Sequence, residues 1–279
     1  MKNLKRILVP IDPTIYAQAA TETACQIAKV HGAKVSGIAV LDSAEIRSSL
    51  VPAVGPYYPG VMSEVVAMTH HADHILKESL ERFASTCESS GVDHLETEYE
   101  GIPARKLLES AIFYDLIVVG LKTAFHFETR NESFEALDSL LDRTITPILG
   151  VPAGGLEEPL RVLVTIDGST GSARALHDFV QFAQPYDCEV KVIVADKAES
   201  ESGFLIKNSV DYLKAHGFSK VSAESFDKDI LMAVEAEIDS GANLVVAGIH
   251  SKKRLKDIFV GSFTRSLINR GDVAMFLSH

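Results

Sequence analysis

A segment near the end of the chain, rich in glycine and basic residues, has the residue types that bind phosphate. Gly248 and Gly261 enclose this segment, and Gly261-Ser262 opens a predicted helix. Exposed N–H groups and the helix dipole at such a start favour an anion. Between the two glycines lie four cations: Lys252, Lys253, Arg254 and Lys256. The spacing also fits a Gly-Ser helix cap beside a solvated basic stretch, so both interpretations stay open.

One carboxylate is placed to serve the same ligand. Asp167 follows the apolar run Val162–Ile166, and ligands of open α/β sheets collect at the carboxyl ends of the strands. There Asp167 can accept a hydrogen bond from a sugar hydroxyl or a base amine. We predict no catalytic residues, because no GxSxG, HExxH or GxxxxGK(S/T) motif occurs. Neither Ser169 nor Ser262 has a visible general base.

Histidines are the candidate metal ligands. His70, His71 and His74 stand on a predicted helix at spacings that can place two imidazoles on one face. A zinc site needs three or four converging ligands with supporting hydrogen bonds. Two histidines on one exposed helix are more often solvated, and so is His250 within the basic segment. We therefore predict no metal site.

The elements that must position these residues repeat along the chain. Self-similarity of this kind indicates a duplicated unit. Three segments of the first half return in the second half in the same order: Lys5–Asp12 as Leu160–Asp167, Asp115–Gly120 as Asn243–Gly248, and Pro147–Pro152 as Val273–Leu277.

Short β-branched apolar runs alternating with amphipathic segments predict parallel strands joined by helices. We predict an α/β fold of two tandem doubly wound parallel-sheet domains, at residues 1–152 and 160–279, with a linker at 153–159. Predicted strands are 6–11, 34–41, 94–99, 115–119, 147–151, 161–166, 189–195, 220–225, 243–247 and 273–277. Predicted helices are 15–31, 62–90, 103–113, 134–145, 171–184, 202–216, 228–240 and 262–270. We expect a long loop at Leu41–Val61, either over a cleft or on the surface.

Composition excludes several classes of function. The chain has 279 residues, 46% of them hydrophobic and 23% charged, with a net charge of −11. This acidic balance argues against nucleic acid as a partner. Cys25, Cys87 and Cys188 are odd in number and far apart, so no disulfide framework is expected. No apolar segment has the length of a signal peptide or a membrane span, and we expect a cytoplasmic protein without membrane contact.

Taken together, these motifs resemble the universal stress proteins, with two such domains in one chain. Nucleotide-binding members carry Gly-x2-Gly-x9-Gly-(Ser/Thr) after the fourth strand. Gly248, Ser251, Gly261 and Ser262 match its spacing, although Ser251 replaces the second glycine. The family's first-strand aspartate matches Asp167.

The resemblance implies a Rossmann-like fold of the adenine nucleotide α-hydrolase type and an adenine nucleotide, ATP or AMP, in the second domain. Mg²⁺ would accompany ATP without a protein ligand set. Four residues would hold adenine and ribose: Thr165, Asp167, Val194 and Ala247. Five would line the phosphates: Gly248, Ser251, Gly261, Ser262 and Thr264. Family members pair through their last strands, so Pro147–Val151 and Val273–Leu277 are expected to form an intrachain pseudo-dimer, with further homo-oligomers possible.

The first half departs from the nucleotide pattern. After Gly120 the second glycine is missing, and the Gly-Ser pair falls on Phe134-Glu135. A ring and a carboxylate there would block and repel a phosphate. We expect this half not to bind ATP in the family's manner. Phe125, Phe127 and Phe134 would either hold an apolar ligand or form local core.

The resemblance therefore predicts a stress-response or regulatory module that binds an adenine nucleotide, with an unidentified protein partner. Two other functions remain open. One is a ligand-free interaction scaffold, in which Gly261-Ser262 is only a helix cap. The other is a slow ATP hydrolase.

Overall fold

A computed structural model describes residues 4–54, 61–123, 125, 127, 135–195, 198–227, 229–249 and 261–279. The first half contains β1 Arg6–Pro10, α1 Ile15–His31, β2 Lys34–Leu41, α2 Ser43–Val54, α3 Val61–Ser90, β3 His94–Glu100, α4 Pro103–Ala111, β4 Leu116–Gly120, α5 Glu135–Arg143 and β5 Ile148–Val151. The second contains β6 Leu160–Thr165, α6 Thr170–Ala183, β7 Cys188–Ala195, α7 Glu199–Ala215, β8 Lys220–Phe226, α8 Ile230–Asp239, β9 Leu244–Gly248, α9 Ser262–Arg270 and β10 Ala274–Ser278.

The strands form one sheet in the order β3-β2-β1-β4-β5-β10-β9-β6-β7-β8. Each half is parallel and has the same internal order, because β6 to β10 take the places of β1 to β5. Such an order, with helices as crossovers, is the doubly wound arrangement. The predicted fold class is confirmed.

The two halves join through their last strands. β5 and β10 pair antiparallel, with Phe276 opposite Leu149 and Met275 opposite Gly150. The expected intrachain pseudo-dimer is therefore confirmed, and the sheet runs without interruption through both halves. The domain limits 1–152 and 160–279 stay a prediction.

Helices cover both faces of the sheet and bury an apolar layer on each. One layer lies beneath α1, α3, α6 and α7, and includes Phe83, Phe179 and Phe276. The other lies beneath α4, α5, α8 and α9, and includes Leu107, Leu140 and Leu267. Both layers hold residues of the two halves, as strands buried on both faces require.

The expectation of a long loop at Leu41–Val61 is wrong. The segment Leu41–Val61 contains the helix α2, where we expected a loop, and α2 contacts α3. Ile46 of α2 is buried. No helix within the described part of the chain is long and apolar enough to cross a membrane.

Candidate functional site

A cavity of about 580 Å³ opens at the carboxyl ends of β6 and β9. The strand order reverses here. From β6 the sheet continues through β7 and β8 on one side, and through β9 and β10 on the other. A parallel sheet has its natural ligand crevice at this point, because the flanking loops diverge to opposite faces. The lining residues are Thr165, Ile166, Asp167, Ser172, Ala195, Asp227, Asp229, Ile230, Ala247, Gly248, Gly261, Ser262, Phe263 and Thr264.

The end of β6 contributes a hydroxyl and a carboxylate. The buried Thr165 donates a hydrogen bond from its hydroxyl to the carbonyl oxygen of Val246, 3.0 Å away, which joins β6 to β9. Asp167 is exposed, and its Oδ1 accepts the N–H of Ser169 at 2.9 Å. Gly168 between them has a φ of 80°, which glycine adopts without strain. This turn holds the Asp167 carboxylate at the cavity rim.

The end of β9 lies against the start of α6. A Cβ added to Gly248 would come 2.3 Å from the backbone carbon of Gly171 and 2.4 Å from the nitrogen of Ser172. Gly248 lines the cavity, but α6 already requires it to be glycine. Packing against α6 is therefore by itself a sufficient reason for glycine at this position.

The start of α9 supplies donors to the cavity. Gly261 is the N-cap, and the first helical hydrogen bond runs from Arg265 N–H to Gly261 O at 3.0 Å. The N–H groups of residues 262–264 precede that bond, so they have no acceptor within the helix. No described atom lies within 4 Å of a Cβ built on Gly261. Backbone donors and open space therefore meet where an anion would be bound.

Two aspartates of the cavity wall were not singled out from the sequence. Asp227 follows β8, and Asp229 caps α8 by accepting the N–H of Leu231 at 2.8 Å. The available signal was their place after a strand, because carboxyl ends of parallel strands meet at one edge. Ser172, Ala195, Ile230 and Phe263 also line the cavity without having been predicted.

The structure brings seven of the nine predicted site residues together at this cavity: Thr165, Asp167, Ala247, Gly248, Gly261, Ser262 and Thr264. Val194 does not join them. It is fully buried in the apolar layer beneath α6 and α7, while Ala195 lines the cavity. Successive side chains of a strand point to opposite faces, so the Val194 side chain lies on the other face of the sheet from that of Ala195. A role of Val194 in binding the base stays a prediction. Ser251 lies outside the described residues, as do His250 and the four cations.

In the first half, Phe125 contacts Asp12, the aspartate that corresponds to Asp167. Asp12 is only 3% exposed, and its Oδ1 accepts from Thr14 N–H at 2.9 Å and the Thr14 hydroxyl at 2.6 Å. Its Oδ2 accepts the N–H of Phe125 at 3.2 Å. Phe125 is buried and has a φ of 54°, a left-handed conformation that is uncommon for a bulky residue. The Asp12 carboxylate is thus buried and bonded to Phe125, whereas the corresponding Asp167 is exposed.

The aromatic residues of that loop belong to the core. Phe125 and Phe127 are buried in the apolar layers on opposite faces of the sheet, which confirms the local-core interpretation for these two. Phe134 lies outside the described residues, and nothing is described of the Glu135 side chain. A cavity beside Asp12 measures about 20 Å³. That is room for about one water molecule.

The three histidines on α3 lie exposed on the protein surface. His74 Nε2 is 3.8 Å from Glu78 Oε1, one turn further along α3. Among the residues that the structure describes, no three His, Cys, Asp or Glu side chains form a group that could hold a metal ion.

Similarity to known proteins lies in the fold. No protein-family model and no curated protein sequence matches the chain. A universal stress protein from Archaeoglobus fulgidus DSM 4304 superposes with a TM-score of 0.72 at 17% identity, over 98% of this chain and 95% of that one. A protein of unknown function from Pseudomonas aeruginosa PAO1 superposes with a TM-score of 0.59 at 14% identity, over 99% and 92%. The chain therefore has the universal stress protein fold, in two consecutive copies that form one sheet.

Proposed function

We propose that this protein binds an adenine nucleotide, ATP or AMP, in the cavity of its second half, and works as a stress-response module. The main support for this proposal is the cavity at the strand-order reversal. It combines an aspartate at one end with a helix N-terminus at the other. Its volume of about 580 Å³ falls within the roughly 300–1,000 Å³ of small-molecule sites.

The chemistry of the lining supports one orientation of the nucleotide. Phosphates lie against the N–H groups of residues 262–264, where the helix dipole favours negative charge. Gly261 leaves space for them, because no described atom surrounds its Cβ position. At the other end Asp167 accepts hydrogen bonds from ribose hydroxyls. Apolar side chains of Ala195, Ala247 and Ile230 pack against the base.

The first half supports a stoichiometry of one nucleotide per chain. Asp12 is buried and bonded to Thr14 and Phe125, so it has no open face toward a ribose. Displacing the buried Phe125 would expose its ring to water and cost about 1.5–3 kcal/mol. A nucleotide must first overcome this cost before it gains any contact.

A thermal-shift titration with ATP, ADP and AMP tests the proposal, with Mg²⁺ added to half of the samples. A ligand that binds only the folded protein stabilises it by about 2.7 kcal/mol at 100 times its dissociation constant. We expect Tm to rise with nucleotide concentration. In equilibrium dialysis, the bound nucleotide should saturate at one per chain. An unchanged Tm at millimolar nucleotide contradicts the proposal and supports the ligand-free scaffold.

A matched pair of variants locates the site. Gly261→Glu places a carboxylate where phosphate would be bound, and it should abolish the shift without unfolding the protein. Gly154→Glu makes the same change of charge at an exposed glycine whose Cβ position also has no described atom within 4 Å. It should keep the full shift. If both variants lose the nucleotide-induced Tm shift equally, the loss is not specific to position 261, and the site is elsewhere. Conversion of ATP to ADP by the wild type but not by Gly261→Glu would identify a slow hydrolase.

A further inference from the structure

Two of the three cysteines meet inside the first half. Cys25 of α1 and Cys87 of α3 are 62 positions apart in sequence, yet their Sγ atoms lie 3.5 Å from each other. Both are buried, with exposures of 1% and 0%. Cys188, the third thiol, begins β7 in the other half. The contact was not foreseen from the sequence, because nothing in the spacing of Cys25 and Cys87 indicates that α1 packs on α3.

The helix packing keeps the two thiols in contact. α1 presents small residues around Cys25, including Thr21, Ala24 and Ala28, and this buried face packs on α3. Small side chains allow two helices to approach closely. A disulfide has an S–S length of about 2.05 Å, so the sulfur atoms must come roughly 1.5 Å closer. Rotation about the Cα–Cβ bonds and a small helix shift supply such a distance.

The surroundings distinguish the two thiols. The hydrogen bond with Cys87 lowers the pKa of Cys25, and Ser90, Lys29 and His94 act in the same direction against the effect of burial. The same hydrogen bond, together with burial, raises the pKa of Cys87. The thiolate is the reactive form of a cysteine, and Ser90, Lys29 and His94 favour that form at Cys25.

The pair also lies near a helix end. α3 ends at Ser90, three residues after Cys87, and Gly91 follows with a φ of 67°. Ser90 and His94 are both half-buried beside the thiols. Helix ends open at lower free energy than helix centres. A small oxidant can reach the sulfur atoms there without unfolding of the sheet.

We propose that Cys25 and Cys87 are an oxidation site, at which a hydroperoxide such as hydrogen peroxide converts the dithiol into a reducible disulfide between α1 and α3. The Cys25 thiolate attacks one peroxide oxygen, so an S–O bond forms, the O–O bond breaks, and hydroxide leaves and takes up the Cys25 proton as water. Cys87 then attacks the Cys25 sulfur. The S–S bond forms, the S–O bond breaks, and hydroxide leaves with the Cys87 proton as a second water. Two thiols are oxidised and one peroxide is reduced to two waters.

Mass spectrometry of the folded full-length chain after hydrogen peroxide treatment tests the site. Remaining thiols are blocked with N-ethylmaleimide. The expected product is a monomer lighter by about 2 Da before blocking, with one free thiol instead of three. Digestion without reductant should give one linked peptide pair containing Cys25 and Cys87. Dithiothreitol should restore all three thiols.

Variants separate this site from general thiol oxidation. Cys188→Ser should form the same linked peptide, because Cys188 has no part in the pair. Cys25→Ser and Cys87→Ser should each abolish it. Cys87→Ser should also leave Cys25 as a sulfenic acid that dimedone traps. The proposal is overturned if the folded wild type keeps three thiols at peroxide doses that oxidise its methionines. It is equally overturned if Cys188 or a second chain supplies the partner thiol.

Discussion

Gly248 and Gly261, which match one motif in the sequence, differ in what surrounds them. Gly248 lies against backbone atoms of α6 at distances that no Cβ tolerates, whereas no described atom lies within 4 Å of a Cβ on Gly261. In the first half, Gly120 is packed as closely as Gly248, since a Cβ on Gly120 would come 2.5 Å from the Cβ of Tyr16. The glycine after the fourth strand is thus a packing requirement of each half, and Gly261 is the one that ligand binding would require.

These contacts predict that the same substitution is costly at Gly248 and nearly neutral at Gly261. Gly248→Ala should lower the free energy of unfolding by about 1–3 kcal/mol, because backbone atoms of α6 must move. Gly261→Ala should change it by less than about 0.5 kcal/mol, as a surface substitution does. Urea denaturation of both variants measures the difference. Equal stabilities would show that α6 shifts freely and that Gly248 is not a packing requirement.

At the level of elements, the helices that follow the first strand of each half begin in corresponding ways. The Thr14 hydroxyl accepts the N–H of Ala17 at 3.2 Å at the start of α1, and the Ser169 hydroxyl accepts the N–H of Ser172 at 3.1 Å at the start of α6. The two caps differ in where the capping hydroxyl donates, since the Ser169 hydroxyl lies 3.4 Å from the Ser172 hydroxyl. Thr14 also donates to the buried carboxylate of Asp12, while Asp167 is exposed.

The helix caps should therefore be unequal in energy. Ser169→Ala should cost about 1 kcal/mol, the ordinary value of a lost cap. Thr14→Ala should cost about 1 kcal/mol more, because a buried carboxylate loses a donor. Chemical denaturation monitored by circular dichroism checks both values. Thr14→Ser, which keeps the hydroxyl, serves as the control and should restore most of the loss.

Sequence patterning predicted the strands and helices well but missed the helix α2. The predicted strands and helices that the structure describes begin and end within about three residues of the observed limits, since buried β-branched runs have few alternatives. α2 was missed because Ser43–Val54 has weak helical periodicity and contains Pro52. Its helical state accompanies packing of Ile46 and contact with α3, and neither is visible in local sequence.

At the level of the whole molecule, contacts between the halves extend beyond the β5–β10 pairing. Arg265 of α9 forms an ion pair with Asp138 of α5 at 2.8 Å. His31, the last residue of α1, reaches α6 of the other half, where its Nε2 lies 3.0 Å from the carbonyl oxygen of Phe182. A carbonyl can only accept, so Nε2 carries the proton and Nδ1 accepts the N–H of Leu4.

This buried histidine predicts an acid-sensitive interface. Burial, with the nearby Lys5 acting in the same direction, lowers the pKa of His31, and the bond to Phe182 opposes this only in part. Unfolded His31 takes up a proton near its ordinary pKa of about 6.5, before folded His31 does. Stability is therefore full above that pH and falls as the pH drops from there toward the lowered folded-state pKa.

Tm measured between pH 7.5 and 5 should show this loss in the wild type and a smaller one in His31→Gln. Exposed His71→Gln is the control and should follow the wild type. Identical pH profiles for wild type and His31→Gln would mean that His31 does not contribute to the acid sensitivity.

The sequence by itself determined the duplicated α/β architecture, because its local patterns recur in the same order. The strand pairing between the halves and most of the candidate site residues came from the resemblance to the universal stress proteins. The tertiary structure alone decided which side chains share a cavity, since Ala195 rather than Val194 faces it and Asp227 with Asp229 completes its wall. It also decided that the Phe125 N–H bonds to the buried Asp12 carboxylate in the first half. Contacts between residues distant in the chain, such as Cys25 with Cys87 and His31 with Phe182, arise only when helices pack. Such packing depends on the shapes of both partners, which no single segment records.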